Sequence, residues 1–135
     1  MKSAIRTAAL AAAVALFTYS SVAAQEYESA KARFSDLCAT CHGEHGRGDG
    51  PSVGIYKIHP RNFTDCAAMH KLSDETLFKA IHDGGLAVGI SNSMPRWREM
   101  LSDQQIKELI VYIRGFCKQA QPHHRAAEHP PSAKQ

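Results

Sequence analysis

Several kinds of signal are scarce or missing in this 135-residue chain. A large excess of charge of one sign is missing: the formal balance is only +3 with histidines neutral, and Lys2 and Arg6 lie in a leader expected to be removed. The near-neutral remainder argues against a polybasic surface for nucleic acid or membrane. Long apolar runs are missing too, and the best candidate, "AALAAAVALF", is too short to span a bilayer. No internal repeat is visible. The glycine-rich run near residue 46 has no strand pattern before it and no G-K-[ST] closing it, which excludes a phosphate-cradling loop. Cysteine is sparing, four in all, and C-x-x-C occurs once. A zinc reading lacks its second ligand pair, and a thioredoxin-like reading lacks βαβ patterning.

What is present begins with that leader. Lys2 and Arg6, the apolar run and the small residues of "SSVAAQ" form the three-part layout of a secretory signal, with cleavage expected after Ala24. The organisation expected is a signal over 1–24, one small domain over 25–120 and a tail over 121–135. The tail, rich in Pro, Ala and polar residues with His123, His124 and His129, lacks the apolar periodicity needed to offset ordering, so it reads as a disordered, solvated extension. Export implies a periplasmic protein in a compartment that permits disulfides.

The centre of the reading is "LCATCHGEHGRGDGPSVG", Leu37 to Gly54. On a helical turn, Cys38 and Cys41 share a face, from which each can form a thioether to one haem vinyl group. His42 then swings its imidazole under the iron. C-A-T-C-H is therefore read as a covalent attachment site for one haem c. Ala30, Phe34, Leu37, Cys38 and Cys41 recur at helical spacing, so a helix is expected to run into the motif and stop at Gly43, followed by an irregular loop. "KIHPRNFTDC" reads as an extended connection. A helix is expected over about 74–83, capped by Ser73, with Leu72 able to staple to Leu77. A last helix should begin at the capping box of Ser102 and Gln105, with Ile106, Leu109, Ile110, Ile113, Phe116 and Cys117 as its buried stripe.

These features resemble the small class I cytochrome c family over about residues 28–118. The resemblance rests on C-A-T-C-H at 38–42, "GRGDGP" at 46–51, "RNFTD" at 61–65, "LSDETLFKAI" at 72–81, "MPRW" at 94–97 and "LIVYIR" at 109–114. It implies an all-α class I cytochrome c fold, helices with long loops wrapped around one covalently bound haem. Its first and last helices would cross through Ala30, Phe34, Leu109 and Tyr112. It implies Met94 as second axial ligand, and a soft thioether in a loop suits that role. Met69, Met100, His59, His70 and His82 are the other candidates; Met69 and Met100 are expected to serve packing. By the same analogy Pro51 would offer its carbonyl to the His42 ring, and Arg61 and Trp97 would serve the haem propionates.

Cys66 and Cys117 are left over. In an exported chain the expectation is an intramolecular disulfide; two inert thiols, or a metal site drawing on His70, are the alternatives. The function expected is a soluble periplasmic electron carrier, not an enzyme, that docks transiently with redox proteins and binds no nucleic acid. The alternatives are an electron-transfer subunit of a larger periplasmic dehydrogenase or oxidase complex, and a haem enzyme or gas sensor with a displaceable sixth ligand.

Overall fold

The computed structural model describes residues 23–119. The expected leader, except its last two residues, and the expected tail fall outside that range. Within it the architecture is all-α, with no strand among the described residues. No helix there is long and apolar enough to cross a membrane.

Helix α1 covers residues 23–37 and is separated by a turn at Cys38 from α2, Ala39–His42. The single helix expected up to the motif is thus broken inside it. Gly43 ends α2 at φ 77°, a conformation that an L side chain rarely adopts, and its N–H closes on the Ala39 carbonyl. Two short helices, α3 (Ser52–Tyr56) and α4 (Cys66–Met69), occupy stretches read as irregular or extended. The Asp65 carboxylate caps α4 by accepting from Ala68 N–H at 3.0 Å.

Helix α5, Asp74–Asp83, starts where expected: Ser73 Oγ accepts from Thr76 N–H at 3.1 Å, and Asp74 and Glu75 sit in the first turn. A 3₁₀ turn over Gly85–Val88 and an irregular segment lead to α6, Asp103–Gln119. The capping box forms in both directions, Ser102 N–H to Gln105 Oε1 at 2.9 Å and Gln105 N–H to Ser102 Oγ at 3.3 Å.

α1 and α6 meet through aromatics. Phe34, 1% exposed, lies 5.4 Å from Tyr112 and 5.2 Å from Phe116 between ring centroids. Arg33 pairs with Glu108 at 2.9 Å beside that contact. The whole α6 stripe, Ile106, Leu109, Ile110, Ile113, Phe116 and Cys117, is buried. Arg114 ties α6 to the turn between α4 and α5, donating to the Met69 and Leu72 carbonyls at 2.7 and 2.6 Å and to Asp74 at 2.7 Å.

Candidate haem-binding site

α2 presents its motif to a cavity of about 440 Å³, within the size range of cofactor pockets. Leu37, Ile58, Leu72, Leu77, Ile81 and Leu109 contribute much of an apolar wall, joined by Cys38, Cys41, His42 and Met94. Two thiols, an imidazole and a thioether around one apolar space form a donor set fitted to a covalently attached haem.

The loop after the motif packs tightly against it. Gly50 N–H bonds to the Cys41 carbonyl at 3.1 Å, and a methyl group on Gly50 would stand 2.5 Å from the Ala39 and Thr40 carbonyl oxygens. Gly48 N–H reaches the His42 carbonyl at 2.7 Å. Main-chain contacts of this kind explain a glycine-rich run at a haem motif without any phosphate.

His42 is set by two neighbours. Its Nδ1 lies 3.2 Å from the Arg61 carbonyl, which can only accept, so Nδ1 carries the proton and Nε2 keeps its lone pair for a metal. Phe63 stacks on the ring at 4.5 Å and 15°. Burial lowers the His42 pKa below the ordinary histidine value, outweighing the pull of the Arg61 carbonyl, and a neutral imidazole is the ligating form. Burial, with the nearby Cys41 second, pushes the Cys38 thiol up to about 12.

Pro51 does not take the role expected of it. It stands at the N-terminus of α3, exposed and away from the cavity, while the acceptor for the His42 ring is Arg61. The chain passes close to the ring at 60–63, not at 51, because Phe63 N–H anchors that segment to the Gly46 carbonyl at 2.6 Å. Arg61 borders the cavity with an exposed side chain, and Trp97, half-buried, borders it too. Phe63 was not singled out by sequence reasoning; its only signal was an aromatic within "RNFTD".

Met94 borders the cavity from the irregular segment and packs against the core. Among the other candidates, Met69 is buried in the core, as expected, whereas Met100, also expected to serve packing, is 68% exposed. Of the histidines, His59 borders the cavity and His70 and His82 do not. Cys66 and Cys117 are brought together as thiols, and the expected bridge is not formed in this structure. Each sulfur is satisfied instead by a main-chain carbonyl, Cys66 by that of Cys117 and Cys117 by that of Phe63, both at 3.4 Å.

An all-α frame around an apolar cavity, with C-x-x-C-H on its wall, defines a cytochrome c domain, a haem c electron-transfer module. Residues 25–113 match the family described as cytochrome c oxidase, cbb3-type, subunit III, and the chain belongs to that family. It is 34% identical over 80 residues to the cbb3-type cytochrome c oxidase subunit FixP of Azorhizobium caulinodans, covering 59% of this chain and 24% of that protein. It is 31% identical over 92 residues to the cbb3-type cytochrome c oxidase subunit CcoP of Azospirillum brasilense, covering 66% of this chain and 28% of that protein. The chain thus spans about a quarter of the length of these relatives. No solved structure matches it.

Proposed function

We propose that this chain carries one haem, attached through Cys38 and Cys41 and ligated by His42 Nε2 and the Met94 sulfur, and acts as an exported, periplasmic single-electron carrier. The observation that carries the reading is that Cys38, Cys41, His42 and Met94 border one and the same apolar cavity. Bound haem supplies the Fe(II)/Fe(III) couple. Around it, the Arg61 carbonyl and the Phe63 ring hold the His42 imidazole in one tautomer and one orientation. A neutral, soft thioether from Met94 favours the ferrous state and raises the potential. As a ligand it would also take the position that a haem enzyme or gas sensor keeps open. Arg61 and Trp97 would serve the propionates, a role supported by both bordering the cavity.

Replacing Met94 with Ala tests the ligand set. The reduction potential should fall and the ferrous protein should gain carbon monoxide binding, with the haem still covalently attached. A wild-type potential in that variant, with the change appearing instead in His59→Ala, would move the ligand to the other donor at the cavity.

A second reading has its own support: both relatives are named as subunits of a cbb3-type oxidase. In it the same domain passes electrons within a complex instead of diffusing between partners. Native purification separates the two, since a free carrier runs as a small protein and a subunit co-elutes with other chains.

A further inference from the structure

Cys66 and Cys117 take no part in the haem site, yet the fold builds a place for them. Cys66 opens α4 and Cys117 lies near the end of α6, 51 positions later. Cys66 Sγ is 3.4 Å from the Cys117 carbonyl and 3.6 Å from that of Thr64, and Cys117 Sγ is 3.4 Å from the Phe63 carbonyl. Cys66 Sγ thus touches the main chain of Cys117 itself. The two thiols differ in access, Cys66 being half-buried and Cys117 buried. A metal site is not built here, because no group of three potential ligands occurs among the described residues.

We propose that Cys66 and Cys117 are a disulfide-forming pair, closed by exchange with a disulfide oxidant, that locks α4 to the end of α6. Cys66, the accessible thiol, loses its proton to solvent and attacks one sulfur of the oxidant. A mixed disulfide forms and the oxidant's other sulfur leaves as a thiol. Cys117 Sγ, on the residue whose carbonyl Cys66 Sγ already meets at 3.4 Å, then gives up its proton and attacks the Cys66 sulfur. The mixed bond breaks and the second oxidant thiol departs. Two S–H bonds become one S–S bond, and the two electrons and two protons end in the oxidant's two thiols. Burial, and then the adjacent Cys66 thiol, push Cys117 up to about 11, so Cys66, the more accessible thiol, is the one that attacks the oxidant first.

The lock acts on the cavity wall. α4 and its flanks carry Phe63, Ala68 and Leu72, all bordering the cavity, and the bridge would hold that wall against α6 even in the partly unfolded chain.

The haem-loaded protein, reduced and then exposed to oxidised glutathione, provides the test. Alkylation under denaturing conditions and intact mass should give two reactive thiols before oxidation. Afterwards none should remain, with a mass lower by two hydrogens and no dimer. The thermal midpoint should rise by on the order of 10 °C. In Cys117→Ser the same treatment should stop at a glutathione adduct on Cys66, because the resolving thiol is gone. A stable adduct on Cys66 in the unaltered chain, a disulfide-linked dimer, or two thiols still reactive after oxidation would each overturn the proposal.

Discussion

His42 can ligate through Nε2 only while Nδ1 is held elsewhere, and the holding is done by a carbonyl and a ring. The stack with Phe63 is worth about 0.5–1.5 kcal/mol beyond area burial, and shortening the side chain adds a small cavity term. Phe63→Leu should therefore lower stability by about 1–2 kcal/mol, read from the denaturant midpoint, with the haem still covalently bound. Pro51→Ala should stay within about 0.5 kcal/mol of the parent with an unchanged haem spectrum, as an exposed position that does not border the cavity. A large spectral change in Pro51→Ala would return that residue to the site. Cys38, Cys41 and His42 were legible in the sequence because adjacent residues carry their chemistry together. The Arg61 carbonyl was not, because every residue has a carbonyl and only the fold says which one approaches a ring.

Between elements, the segment carrying Met94 is fastened to the end of α5. Gly85 N–H bonds to the Met94 carbonyl at 3.0 Å, Trp97 N–H to that of Ile81 at 3.0 Å and Arg98 N–H to that of His82 at 3.3 Å. Outside these, Arg98 pairs with Asp83 at 2.8 Å, and Asp83 also takes His82 Nδ1 at 2.9 Å. The His82 ring and, after it, the Arg98 guanidinium hold the Asp83 carboxyl below the ordinary carboxylate range. A carboxylate with a depressed folded-state pKa contributes above its unfolded pKa, and the contribution is lost as pH falls through the folded value. Asp83→Asn should therefore raise carbon monoxide access to the ferrous site severalfold at most at neutral pH, since exposed pairs are weak. The unaltered protein should show the same loosening only in acid. Equal access in both proteins at neutral pH would leave the fastening to the main chain alone.

α5 and α6 were readable because their caps and stripes lie within a single local window. α3 and α4 were not: four or five residues make little more than one helical turn and cannot repeat an apolar period, and what fixes α4 is Asp65 on one side and Arg114, far along the chain, on the other. The turn at Cys38 was hidden as well, since the apolar spacing runs across it unbroken.

At the scale of the molecule, α1 packs on α6 through Phe34, Tyr112 and Phe116, and the cofactor cavity lies alongside, with Phe34 belonging to both. A small domain built around a cavity of this size relies on its ligand for much of its core. Phe34→Ala should cost about 3–5 kcal/mol, measured by chemical denaturation of the haem-loaded protein. That contact was implied by the family resemblance, which has Ala30, Phe34, Leu109 and Tyr112 at the matching positions, whereas the cavity is a property of segments far apart in sequence and becomes visible only when they are assembled. The account as a whole is tested most directly by an optical redox titration of the purified protein with haem content measured per chain. It predicts one haem per chain, not extracted by acidic organic solvent, titrating reversibly as a single one-electron couple. Haem that is extractable, or absorbance that does not follow a one-electron curve, would contradict it.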